Sequence, residues 1–287
     1  MGGILPSMKF ATYAEYDPKG IALSIPALLT VWAGIQRFSE ELVLVGGLVP
    51  HFICRHPESD TRLPRPATVD VDIGIALGAL SGQYGSLLAD LQAQGFRPSK
   101  KFESRFERVV GLHTIYVDFL VERPPGTKGV VVVDDVPANI LPGIDRALAT
   151  ARKQVVKGTD LFGAEQSLPI RVCEVGPFLV MKLRAFADRQ APKDAFDLMY
   201  TLLHYDGGTG AAVAAFHTEG VAGNPAFKDA SACLRQHFGN EAASAPVRAA
   251  HFVYGPVTTS EGYDTSLLRK QIQQDVVTMG SLLLSAG

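Results

Sequence analysis

The chain has 287 residues, 47% of them hydrophobic and 20% charged, with a net charge of −2. That balance suits a globular protein with a sizeable core, and it gives no global basic signal for nucleic acid. Three cysteines, Cys54, Cys173 and Cys233, are odd in number and far apart, so they make no disulfide framework and fit a reducing compartment.

No basic stretch followed by an apolar core opens the chain, so no secretory leader is expected. The longest apolar stretch, residues 21–35, contains Ser24, Pro26 and Thr30 and is too short to span a bilayer. These features predict a cytoplasmic protein with no membrane partner.

In chain order, residues 21–38 read as a helix with Pro26 near its first turns. Residues 42–45 read as a buried strand that enters a tight turn at Gly46-Gly47, and 48–54 as a helix directly after it. Residues 55–67 are polar and proline-rich, hence a loop. Residues 69–77 read as a strand in which Val69, Val71 and Ile73 alternate with Asp70 and Asp72. Side chains two positions apart on a strand share a face, so both carboxylates project together. Paired carboxylates repel unless a cation lies between them, and oxygen ligands suit Mg²⁺ or Mn²⁺. The bland alternative is a solvent-facing pair on an edge strand.

Residues 83–94 have helical spacing and stop at Gly95. Residues 106–111 and 114–121 form a hairpin pattern turning near Gly111. Asp118 is a lone acid in the second, otherwise apolar, strand and needs a partner or a metal. The basic run Arg97, Lys100, Lys101, Arg105 and Arg108 interleaves with Phe96, Phe102 and Phe106. It reads as an RNA contact or, slightly ahead of that, as a solvated strand edge. Residues 130–172 carry strands and a short helix at 144–149. From Val175 the pattern is helical, over 178–189, 191–204, 211–216, 226–238 and 263–284. The expected fold class is α+β, with a mixed-sheet domain at 1–174 and a helical domain at 175–287. His51, Cys54 and His56 invite a zinc reading, but no second cluster supplies the remaining ligands.

The order of strand, Gly-Gly turn, helix, Asp-x-Asp strand and a strand with a third acid resembles the nucleotidyltransferase (polymerase-β-like) plan. Further on, Lys182-x-x-Ala185-x-x-x-Arg189 precedes Lys193-Asp194-x-x-Asp197. With the upstream motifs in the same order, residues 42–204 resemble the AbiEii-type nucleotidyltransferase toxins. The resemblance implies an enzyme that moves a nucleoside monophosphate from an NTP to an acceptor hydroxyl and releases pyrophosphate. It implies Mg²⁺ or Mn²⁺ held by Asp70, Asp72 and Asp118, with Lys182 and Asp194 also catalytic. Gly46, Gly47, Lys182 and Arg189 would bind the nucleotide, and Asp197 would pair with Arg189 or Lys193. Lys182 is expected to reach the phosphates from an exposed helix flank, and the helical domain to complete the cleft. The family also implies a toxin–antitoxin or phage-defence role, with tRNA as acceptor and a cognate antitoxin as partner. Two departures stand out: Leu48 follows the glycines where the family usually has Ser or Thr, and the loop at 51–65 is long. Alternatives are a small-molecule, antibiotic-modifying nucleotidyltransferase and a catalytically silent nucleotide-binding module.

Overall fold

The computed structural model describes residues 10–56, 63–64, 73–77, 86–124, 127–133, 135–258 and 262–285, with 73–77 as backbone only. Asp70 and Asp72 lie outside the described residues. The fold is α+β, and its contacts divide it into two compact units. The first is built from Asp17–Val49 and the described part of Thr68–Glu174. The second takes the described parts of Pro6–Tyr16, Pro50–Ala67 and Val175–Gly287.

In the first unit, α1 (Pro18–Ala22) starts where the Asp17 side chain accepts from the Lys19 N–H, with Pro18 in the first turn. It ends at Leu23, and α2 (Ser24–Gly34) begins again at once. The single helix expected over 21–38 is therefore two helices and a 3₁₀ turn at Gln36–Phe38. Pro26 sits in the first turn of α2, where a missing N–H costs least. The strands are β1 (Leu42–Val45), β2 (Ile73–Leu77), β3 (Arg97–Pro98), β4 (Arg105–Val110) and β5 (His113–Val121). They continue with β6 (Val130–Val133), β7 (Val136–Ile140), β8 (Arg152–Thr159) and β9 (Glu165–Val172). The main path runs β3-β4-β5-β2-β1-β9-β8, and β7 joins β6 to β5. The sheet is mixed: β1–β9, β2–β5 and β5–β7 are parallel and the other pairs antiparallel. Between strands lie α4 (Leu87–Ala93) and α5 (Ile144–Thr150), while α3 (Val49–Ile53) follows β1 in sequence and, from Pro50 on, belongs to the second unit.

Register assigns the faces of the sheet. At Gly158 on β8 a Cβ would point at Leu29 of α2, 3.3 Å away. Alternation and cross-strand pairing place Leu44, Phe119, Val117 and Phe106 on that same helix-covered face, all fully buried. Asp118, Tyr116 and Arg105 therefore belong to the opposite face.

The second unit contains a 3₁₀ turn at Tyr13–Glu15 and the helices α6 (Val175–Arg189), α7 (Pro192–His204) and α8 (Thr209–Val221). These are followed by α9 (Phe227–His237), α10 (Ser244–Tyr254) and α11 (Tyr263–Ser285). The sequence reading did not include α10, whose alanines and Pro246 give weak periodicity. It is fixed by packing: Ala245, Ala249, Ala250 and Phe252 are buried, and the Phe252 ring lies 4.9 Å from that of Phe196. Helices α6 and α8 meet at Gly176, where an added Cβ would lie 2.7 Å from the Ala215 carbonyl oxygen. All three cysteines are buried and none is in a disulfide. Among the described residues no helix is long and apolar enough to cross a membrane.

Candidate functional site

The chain leaves β1 in extended conformation at Val45 and turns through Gly46, whose φ of +84° lies in the left-handed region. Nothing stands within 4 Å of where a Gly46 Cβ would be, so backbone angle rather than crowding requires glycine there. Gly46–Leu48 forms a 3₁₀ turn and α3 follows directly, capped by the Val49 N–H on the Gly46 carbonyl. Leu48 is buried. At the position where the resembled family carries a hydroxyl, this chain fills core.

On β5, Asp118 stands on the face away from α2 as the cross-strand partner of Arg105. Arg105 Nε donates to Oδ1 at 2.9 Å and to Oδ2 at 3.1 Å, while Nη2 donates to Oδ2 at 2.8 Å. The guanidinium carbon lies 5.0 Å from the Phe102 ring centroid and 5.1 Å from that of Tyr116. The side chains of the pair are only 10% and 15% exposed. This is a planar fork on a carboxylate, the strongest common geometry for such a pair. A hard cation favours carboxylate oxygen, but here both oxygens of Asp118 already accept from a fixed cation. Among the described residues, no group of three or more His, Cys, Asp or Glu could hold a metal ion. The described donors by themselves do not make a metal site.

The second unit holds the other motif residues. Lys182 on α6 donates to Asp197 at 2.6 Å and to Asp194 at 3.2 Å, both on α7. Lys193 donates to both oxygens of Asp197, at 2.8 and 2.6 Å. Arg189 grips Asp194 bidentately, Nε to Oδ2 at 2.6 Å and Nη2 to Oδ1 at 2.9 Å. Lys182 is 5% exposed, and Asp194 and Asp197 are 0% exposed. The expected solvent-exposed Lys182 is thus corrected: α7 lies against the α6 face that carries it. Asp197 pairs with Lys193, as one of the two expected alternatives, and also with Lys182, while Arg189 goes to Asp194.

Burial alone would disfavour every charge in this cluster; the partners decide the outcome. For Lys182, burial is outweighed by Asp197 and Asp194, and its pKa is raised. Burial would raise the Asp197 carboxyl, but Lys182 and Lys193 hold it below the ordinary value. For Lys193, burial wins over Asp197, with Lys182 adding repulsion, and its pKa is lowered. The network holds three cations against two carboxylates, and Arg189, with 29% of its side chain exposed, is its most solvent-facing member.

The remaining candidates resolve as structure. His56 Nδ1 shares a hydrogen bond with the Tyr200 hydroxyl at 2.8 Å, and its Nε2 lies 3.3 Å from the His51 carbonyl oxygen. Burial pushes the Cys54 thiol up to about 12. Among the described residues, His51, Cys54 and His56 are not part of a group of three or more His, Cys, Asp or Glu that could hold a metal ion. In the basic run, Phe96, Phe102 and Phe106 are all buried and cannot stack on bases. Arg105 is committed to Asp118, and Arg108 donates to the Gln94 carbonyl at 2.7 Å. Arg97, Lys100 and Lys101 remain exposed, as a solvated edge would be.

Arg105 is the residue the sequence reading missed as Asp118's partner. The hairpin signal contained it: a turn at residues 111–112 sets residue 110 opposite 113 and so 105 opposite 118.

No protein-family model matches the sequence, and no curated protein sequence matches it. A solved structure, the antibiotic-resistance factor ANT(2'')-Ia in solution, is similar over 70% of this chain and 95% of its own, with 15% sequence identity and a TM-score of 0.36.

Proposed function

We propose that the chain is a nucleotidyltransferase that moves a nucleoside monophosphate from an NTP to an acceptor hydroxyl. The acceptor oxygen bonds to the α-phosphorus, its proton leaves to a base, and the bond to the pyrophosphate breaks. The observation that carries this reading is the register Gly74↔Asp118 between parallel strands β2 and β5. In the sequence, Asp70 and Asp72 stand four and two positions before Gly74, the residue opposite Asp118. In the antiparallel pair β1–β2, Val45 stands opposite Gly74, which puts the Gly46-Gly47 turn beside the start of β2.

On this reading the open backbone at Gly46 admits the triphosphate, whose oxygens meet backbone N–H groups of the Gly46-Gly47 turn. A divalent cation, when bound, neutralises phosphate charge. Asp118, gripped by Arg105, is the carboxylate proposed to accept the hydroxyl proton. In the helical unit, Lys182 holds Asp194 and Asp197. The AbiEii-type resemblance adds a toxin role, with tRNA as the acceptor and a cognate antitoxin.

The test is incubation with each labelled NTP, Mg²⁺ and total RNA, or with a panel of hydroxylated antibiotics. Label on tRNA upholds the toxin reading, and label on a small molecule replaces it with the antibiotic-modifying one. Transfer that persists in Asp70→Asn and Asp72→Asn overturns the proposed site.

A further inference from the structure

Arg105 places a permanent positive charge on the carboxylate where a metal-dependent enzyme would want a cation. Arginine does not release its proton in proteins, so this charge cannot be titrated away. Nor is the side chain a loose surface arm: the Phe102 and Tyr116 rings flank it, and three hydrogen-bond contacts fix it to both oxygens of Asp118. With the pair largely out of solvent, a second cation approaching Asp118 meets weakly screened repulsion from the guanidinium.

We propose that Arg105 is the positioning residue of Asp118 and a resident competitor for divalent cations. It fixes the orientation of the carboxylate and keeps the affinity for a free divalent cation low. A cation then binds well only together with nucleotide phosphates, whose negative charge outweighs the guanidinium. Magnesium sites completed by substrate phosphates follow this logic, since the ion takes few protein ligands. The inference rests on the nucleotidyltransferase reading for the identity of the phosphate ligand. The competition at Asp118 rests on the geometry alone.

The test is Mn²⁺ binding to the full chain, read by the paramagnetic resonance signal of free Mn²⁺, in the parent, Arg105→Gln, Arg105→Lys and Arg105→Gln/Asp118→Asn. Without nucleotide, Arg105→Gln should bind Mn²⁺ roughly tenfold more tightly than the parent or better, the scale on which a neighbouring charge biases an ionic site. The double variant should lose that gain. With a non-hydrolysable NTP analogue present, parent and Arg105→Gln should converge. Equal affinities without nucleotide, a gain that survives in the double variant, or no Mn²⁺ binding by any form would each overturn the proposal. Should Arg105→Gln fail to fold, Arg105→Lys decides. Its mobile ammonium frees one carboxylate oxygen, so affinity should rise, and unchanged affinity overturns the competition. A parent that transfers no nucleotide while Arg105→Gln still gains Mn²⁺ affinity would sink the enzymatic reading and leave the competition standing.

Discussion

The Lys182 ammonium lies 2.6 Å from one carboxylate oxygen of Asp197 and 3.2 Å from one of Asp194, so a single cation on α6 ties down two acids on α7. Removing it leaves Asp197 to Lys193 and Asp194 to Arg189, breaks both bonds between α6 and α7 made by the ammonium, and opens a buried polar gap. Lys182→Ala should therefore destabilise the chain by about 3–5 kcal/mol, the usual result of breaking a buried ion pair. Urea unfolding monitored by circular dichroism reads this directly. A midpoint within error of the parent's would return Lys182 to the solvent-exposed role that its sequence position suggested.

Acid should weaken the same network. The Asp197 carboxyl titrates below its ordinary value of 3.8 when folded, so the unfolded chain takes up its proton first. The stability it contributes is complete above that value and drains away as pH falls through the lower, folded one. At the alkaline end, Lys182 titrates above 10.5, and its contribution persists until pH rises through that raised value. Lys193 opposes it, because its lowered pKa lets stability rise slightly as pH climbs toward 10.5. Asp197→Asn should flatten the fall in unfolding free energy below pH 4. An acid limb of unchanged slope would place the responsible carboxylates elsewhere.

Gly46→Ala separates strain from crowding. No atom obstructs the new methyl group, so the cost is that of a left-handed backbone at a non-glycine residue, about 1–2 kcal/mol. Gly46→Asn should cost less, since asparagine tolerates that conformation better. If alanine and asparagine are equally tolerated, the turn does not hold φ at +84° in solution.

At Gly176 two effects oppose each other. Alanine is favoured over glycine by about 1 kcal/mol in a helix interior, and by less at Gly176, the second residue of α6. Its methyl group, however, would sit 2.7 Å from the Ala215 carbonyl oxygen, a backbone atom that yields only if α8 shifts. Overpacking of this kind costs about 1–3 kcal/mol, so Gly176→Ala should lower the melting temperature. A rise would mean that α6 and α8 have room to separate.

What the sequence disclosed follows from how local each feature is. β1 was legible because four consecutive apolar residues end at a glycine pair, and α6 and α7 because Pro192 punctuates a strong 3.6-residue pattern. The 21–38 segment read as one helix because the apolar run continues through Leu23, where the helix breaks. Lys182 was misplaced for a different reason. Its own helix gives no hint of burial, and the cause is Asp194 and Asp197 on the next helix, a tertiary fact. Arg105 lay between these cases, since pairing it with Asp118 needed only the hairpin register, yet its neighbours Lys100 and Lys101 drew it into a surface charge pattern.

The three thiols give the protein a set of built-in clocks. Burial pushes Cys54 and Cys233 up to about 12, and the buried Cys173 donates to the Glu174 carbonyl oxygen at 3.3 Å. Alkylating reagents attack the thiolate, so each cysteine reacts only when its surroundings open. Cys173 belongs to the sheet-containing unit, while Cys54 and Cys233 belong to the helical one. Pulsed alkylation followed by peptide mass mapping would therefore time the opening of each unit separately, on the unmodified chain.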